Sequence, residues 1–297
     1  EVLRGPQGTL YGRNSTGGSI NLLTRSASRD LTGRVDLGAG DYDLLRASGS
    51  VSGPLKEEKV FGLLSAGVQD RDGYHVNLVD SSTLDDNEYT AFRGKLDVDF
   101  SQRSRLELSG WIPDQGGAGS AAKALNDGFP NARESMRDAT QTQDNEYSGF
   151  TGIFTHSTDN LELVSLSSVQ ESTTDLFLDS DGTAFPFQTV GTILDSEQIS
   201  QELRLSSTDG GDGSWQVGLF YFEEDIVSDF ELQSPFLGPY LIDSLVETQS
   251  FAVFGRYAHQ VNDRVGLYAG VRYNDDDKSA VDTQFFPAFG LNFSIPQ

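Results

Sequence analysis

The sequence predicts an all-β chain that folds as an antiparallel transmembrane β-barrel, incomplete at about twelve strands. Three observations predict it. Apolar and polar residues alternate with period two through many short runs. Short polar turns alternate with longer polar connections, as the two rims of such a barrel require. Several runs also carry charge on the face opposite the apolar one, which a dry sandwich core would not accept.

The runs follow in order. The first three lie at 33–40, 45–52 and 60–69. In the next, Phe92, Gly94, Leu96, Val98 and Phe100 oppose Arg93, Lys95, Asp97, Asp99 and Ser101. Runs at 104–112, 147–156 and 161–170 lead to one in which Leu203 and Leu205 oppose Ser200, Glu202, Arg204 and Ser206. After 215–222 and 251–259, Val265, Leu267, Ala269, Val271 and Tyr273 oppose Arg264, Gly266, Tyr268, Gly270, Arg272 and Asn274, and a final run spans 285–295. Short turns are expected at Gly40–Asp43, Lys56–Lys59, Gln102–Arg103, Ser157–Asn160, Thr208–Ser214 and Asn262–Asp263. Long loops are expected at 70–88, 113–145, 177–197, 226–247 and 275–283. The strands are expected to be about 9–13 residues long, the length a tilted strand needs to cross a bilayer. Because backbone groups in hydrocarbon must be paired, such a sheet has to close, with its apolar face on lipid and its polar face lining a lumen.

Composition narrows the function. The 21 Lys and Arg against 45 Asp and Glu leave a formal charge of −24, which argues against a nucleic-acid partner. No apolar run approaches the length of a membrane helix. With no cysteine there is no disulfide framework, thiol nucleophile or thiolate metal site. His75, His156 and His259 fall in different elements, and no metal site or cofactor is expected. Asp179-Ser180-Asp181-Gly182 lacks the spacing of a calcium loop and reads as a solvated turn. Gly12 to Ser19 lacks the lysine of a phosphate loop, and no nucleophile elbow is present, so no enzyme is expected.

The first 30 residues differ from the rest, with glycines crowded ahead of a short strand at Ser19–Thr24. They contain an Arg4-Gly5-Pro6 stretch, Leu10-Tyr11-Gly12, the pair Gly17-Gly18, and Ile20-Asn21. In this order they resemble the end of the plug domain of TonB-dependent outer-membrane receptors. SQELRL from Ser200 and WQVGLFYF from Trp215 resemble a barrel hairpin of the same family.

That resemblance implies two parts, residues 1–30 as the end of a plug and 31–297 as the first part of a barrel of about 22 strands. It also implies that the family's energy-coupling segment is not in this sequence, which starts at Glu1 without a signal peptide, so the chain is expected to be part of a longer protein. Family plug arginines pair with barrel glutamates, which suggests Arg4 with Glu202. The implied activity is active import of a scarce ligand (siderophore, haem, cobalamin or oligosaccharide) across the outer membrane of a Gram-negative bacterium. The implied partners are that small-molecule ligand, the TonB–ExbB–ExbD complex acting on the full-length protein, and outer-membrane lipid with lipopolysaccharide. Tyr74, His75, Phe185, Phe187, Phe236 and Tyr240 lie in the expected loops and are candidate ligand contacts. Alternation and long loops equally suit a passive porin, a surface adhesin or a barrel-borne enzyme. The plug motif separates the importer from these, and a non-functional remnant of an importer is the other alternative.

Overall fold

A computed structural model of the chain describes residues 2–4, 18–20, 22–56, 58–119, 121, 131–208, 213–262 and 264–296. At the front, β1 (Val2–Arg4) pairs antiparallel with β2 (Gly18–Ile20). The body is one twelve-stranded antiparallel sheet in which each strand pairs with its neighbour in the chain. Its first five strands are β3 (Thr32–Ala39), β4 (Leu45–Lys56), β5 (Val60–Arg71), β8 (Asn87–Ser101) and β9 (Ser104–Gly116). The next four are β11 (Thr142–Ser157), β12 (Leu161–Asp179), β13 (Thr189–Ser207) and β14 (Gly213–Gln233). The last three are β15 (Tyr240–Asn262), β16 (Val265–Phe286) and β17 (Leu291–Pro296). The sheet does not close, and β3 and β17 form its two edges. A second sheet of three short strands, β6 (His75–Asn77), β7 (Thr83–Leu84) and β10 (Glu134–Ser135), sits in the connections, with β6 at its centre.

All six expected turns fall where one strand of the sheet gives way to the next, although Glu57, 209–212 and Asp263 within them lie outside the described residues. At the first, Tyr42 and Asp43 adopt φ of 61° and 51°, a left-handed geometry that lets β3 reverse into β4 without a long connection.

The long-loop expectation needs correction. Residues 275–283 lie wholly within β16, and only 180–188 and 234–239 separate the strands at 177–197 and 226–247. The strands from β12 to β16 therefore have 19 to 23 residues, well beyond the 9–13 expected. The ladder continues, for example from Gln249↔Asp277 to Leu241↔Phe285, after the apolar alternation has ended. Pairing needs only backbone groups, whereas alternation reports only where one face meets an apolar medium. The final run also divides. Phe285 and Phe286 finish β16, a 3₁₀ turn follows at Pro287–Phe289, and Gly290 at φ 60° caps that turn ahead of β17.

The register assigns the faces. Val51, Leu64, Gly94, Gly110, Phe150 and Val169 lie in one lateral row of the apolar face. Leu64 is 66% exposed and Val271 72%. On β16 this face runs from Val265 to Tyr273 before meeting Asp275, nine residues that rise about 20 Å at ~3.4 Å per step and a tilt near 40°. Above the band, Glu171, Glu197, Asp225 and Glu247 are direct cross-strand neighbours on the same face. Like charges in that arrangement repel and cannot stand in hydrocarbon, so this row marks the upper limit of the apolar band. Strand cations take the other face: Arg34, Arg46, Arg93, Lys95, Arg105, Arg204 and Arg272 all belong to it.

The buried cluster lies on that polar face as well. It consists of Phe220, Phe222, Ala252 and Phe254, and the Arg272 guanidinium stands 5.6 Å from the Phe220 ring and 5.5 Å from that of Phe254.

Candidate functional site

Two regions of the polar face and its connections hold the chemistry. The first is the inner wall near the short turns. Arg105 donates to Asp97 at 2.7 Å and forms an ion pair with Glu107 at 2.9 Å, and Asp99 accepts from Arg29 at 3.0 Å. Asp97, 1% exposed, also accepts the Ala27 backbone N–H at 3.1 Å. Ser28 donates its N–H to Ser52, and Lys95 donates to the Thr24 carbonyl. The segment from Thr24 to Arg29 is thus tied to β4 and β8. Burying a carboxylate is acceptable here because both a guanidinium and an amide saturate it. On β13, Glu202 forms an ion pair with Arg204 at 2.9 Å.

The second region is the set of connections at the opposite rim. Asn77, 3% exposed, organises it. Its Nδ2 donates to the Arg137 carbonyl at 3.0 Å, and its Oδ1 accepts the Arg137 N–H at 2.9 Å. Arg137, 2% exposed, donates from Nη1 to the Asp179 carbonyl at 2.9 Å, and burial depresses its pKa. Asp179 is not a solvated turn residue as its sequence suggested. It is 2% exposed, and its carboxylate accepts the N–H groups of Asp138, Asp181 and Gly182. Such a residue is a structural cap whose oxygens would otherwise be unsatisfied. The carboxylates of Asp138, Asp179 and Asp181 lie within 4.8 Å of one another. Burial first, and the neighbouring Asp179 charge second, raise the Asp138 pKa above the ordinary carboxylate range.

The six loop candidates fall into three groups. Tyr74 stacks edge-on against Tyr42 at 5.9 Å, under the Arg71 guanidinium, and His75 is hydrogen-bonded to Asp85. Arg133 donates to the Tyr42 hydroxyl. Phe236 stacks with Phe185 at 6.3 Å and Phe187 at 5.6 Å, clamping the two connections 180–188 and 234–239. Tyr240 stacks on Phe286 at 4.0 Å and donates to Gln284, so it belongs to the β15–β16 ladder and not to a loop. Sequence reasoning missed Tyr42, Arg71, Arg133 and Phe286. Their partners are remote in the chain, and only the register brings them together. Of the front motif, Arg4 and Gly18 pair across β1 and β2, while Gly5, Pro6, Leu10, Tyr11, Gly12, Gly17 and Asn21 lie outside the described residues, as does the loop from Gly12 to Gly17.

No family model matches the chain. Relatives do. The ferripyoverdine receptor of Pseudomonas aeruginosa is 41% identical over 75 residues, 25% of this chain and 9% of that protein. The pesticin receptor of Yersinia enterocolitica is 36% identical over 77 residues, 26% of this chain and 11% of that one. The ferric yersiniabactin uptake receptor FyuA of Yersinia pestis superposes over 100% of this chain with a TM-score of 0.88 and 21% identity. These relatives and structural neighbours are TonB-dependent receptors, and this chain shares the fold of their barrels. It spans 47% of the length of FyuA and 44% of that of the ferric citrate transporter FecA, whose TM-score is 0.73. In this family's terms the twelve-stranded sheet is an incomplete barrel, its apolar face the outside and its polar face the lumenal wall.

Proposed function

We propose that the chain is the plug-end and barrel portion of a TonB-dependent importer that carries a ferric siderophore across the outer membrane of a Gram-negative bacterium. The observation that carries this reading is the division of the sheet between an apolar outer band and an inner face that holds the strand cations. An apolar outer band about 20 Å tall suits the hydrocarbon of an outer membrane, and a charged inner wall suits a water-filled or plugged lumen. Likeness to receptors named for pesticin, ferripyoverdine and ferrioxamine B supports a siderophore as the cargo. In this reading residues 1–30 are the end of the plug, with Arg4 approaching Glu202 beside Arg204. The aromatic groups around Tyr74 and Phe236 face the arriving ligand, lipid and lipopolysaccharide surround the apolar band, and the TonB–ExbB–ExbD complex supplies the energy to the whole protein.

The test is iron uptake. The gene encoding this chain is expressed in a siderophore-receptor-deficient host, with and without TonB, and radiolabelled ferric siderophores are supplied. Uptake that needs TonB supports the proposal. Equal uptake without TonB identifies a passive pore and overturns it.

A further inference from the structure

Two apolar side chains stand on the polar face of β5. Phe61 and Leu63 occupy lumenal positions opposite Asp97 and Lys95, yet they are only 4% and 7% exposed. The segment that leads into β3 crosses the sheet at this place. Arg29 lays its guanidinium 4.9 Å from the Phe61 ring, and Leu63 sits in the lateral row between Ser52 and Lys95, both of which hold the same segment. Lys95, Asp97 and Asp99 are successive lumenal positions of β8, and they meet the segment in chain order. Lys95 donates to the Thr24 carbonyl at 3.3 Å, Asp97 accepts the Ala27 N–H at 3.1 Å, and Asp99 accepts from Arg29 at 3.0 Å. On β4, Ser52 accepts the Ser28 N–H at 2.7 Å and donates its hydroxyl to the Gly62 carbonyl at 2.9 Å. Beyond it Leu31 lies against Gly53, where an added Cβ would come within 3.0 Å of the Leu31 Cα. The segment follows β8 toward the short turns and spans β5 to reach β4, ahead of Thr32 and β3.

The wall needs the segment as much as the segment needs the wall. Arg105 alone would face three carboxylates, Asp97 at 2.7 Å, Glu107 at 2.9 Å and Asp99 at 3.8 Å, and Arg29 supplies a second guanidinium. Asp97 and Ser52 are themselves buried, so departure of the segment would strip a backbone donor from each. It would also bare Phe61 and Leu63 to water. We infer that residues 24–31 are a fixed strap, held on the lumenal wall by barrel side chains, and that the strap stays on the wall while cargo passes. The lumen opens beside it and not by its release.

The inference rests on the importer reading in taking this face as lumenal and in expecting a cargo, but the strap itself is tested without transport. In the purified full chain in detergent micelles, the Ser28 amide is expected to exchange with solvent at least about tenfold slower than in Ser52→Ala or Phe61→Ala. Ser52→Thr, which keeps the hydroxyl, should retain the protection, and the β12–β15 ladder should stay protected in every variant. Equal exchange at Ser28 in the unmodified chain and in both alanine variants overturns the strap. Its permanence is tested by Ser28→Cys combined with Ser52→Cys. The 2.7 Å hydrogen bond keeps the two Cα atoms within about 6.6 Å, inside the span of a disulfide, and the chain has no other cysteine. With this bridge closed, the ferric siderophore taken up in the transport test is expected to enter at the rate of the reduced form. Loss of uptake on oxidation, restored by reductant, overturns the permanence of the strap. Failure of the bridge to close overturns the contact. Slow exchange at Ser28 in a chain that takes up nothing removes the importer reading and leaves the strap standing.

Discussion

Placing an arginine on each face in turn measures which face meets lipid. Leu64 is on the apolar face of β5, four residues above Val60 at the short-turn rim. At ~3.4 Å per residue and a tilt near 40° this puts it about 10 Å into the apolar band, close to the midplane of a band about 20 Å tall. Leu64→Arg is therefore expected to cost about 2–4 kcal/mol. Its side chain is already 66% exposed within the protein, so little of that cost comes from lost packing. Thr151 is the control. It lies on the polar face of β11, between Ser109 and Ser168, with no charge opposite it. Thr151→Arg is expected to cost less than about 1 kcal/mol, because a lumenal arginine keeps its hydration. The assay is reversible urea unfolding in lipid vesicles, followed by tryptophan emission. Equal costs for the two variants, or a larger one for Thr151→Arg, would refute the assignment of faces.

Other expectations concern the connections and the inner wall. Asn77→Ala strips two hydrogen bonds from Arg137 and leaves buried groups unsatisfied, so amide exchange across 75–84 and 134–138 should accelerate at least tenfold while the main ladder stays protected. Gly149→Ala should displace the Trp111 indole, shift its emission to the red and cost about 1–3 kcal/mol in urea unfolding. The Asp138 pKa is raised, so its contribution favours the folded loops below the ordinary carboxylate pKa near about 4 and is lost as pH rises through its folded value. Asp138→Asn should thus protect the 131–141 connection from proteolysis at pH 7 and change nothing at pH 3. Faster cleavage of the variant at pH 7 would contradict this. For the Arg4 and Glu202 pair, a double-mutant cycle with Arg4→Gln and Glu202→Gln should return a coupling of at least about 0.5 kcal/mol. A coupling of zero removes that contact.

Much of the architecture was legible because a strand with one face on an apolar medium must alternate. Phe92 to Ser101 and Val265 to Asn274 show both faces directly in their spelling, and polar pairs such as Gln102–Arg103 mark turns to the residue. The upper halves of β13 to β16 were not legible. From Asp225 to Gln233 the alternation reverses, with Asp225, Asp229, Glu231 and Gln233 on the outer face and Ile226, Phe230 and Leu232 on the inner one, so it does not extend the outer apolar pattern although the ladder persists. The site was less legible still. Tyr74 and Phe236 were identifiable as loop aromatics, but their partners Tyr42 and Phe185 are 32 and 51 positions away and nothing local encodes the pairing. Asp179 read as solvated because its neighbours are Ser180 and Asp181. Its burial comes from Arg137 and Asp138, more than 40 positions earlier.

The central claim is that one face of this sheet lies on lipid and the other on a lumen, and the absence of native cysteine permits a direct measurement of it. Single cysteines are placed in turn from Phe92 to Ser101 of β8, spin-labelled, and reconstituted in vesicles, and their collisions with oxygen and with a water-soluble nickel chelate are recorded. The account predicts two profiles of period two that are out of phase. Oxygen contact should peak at 92, 94, 96, 98 and 100, and nickel contact at 93, 95, 97 and 99. Profiles that rise and fall together, or nickel contact at every position, would contradict it.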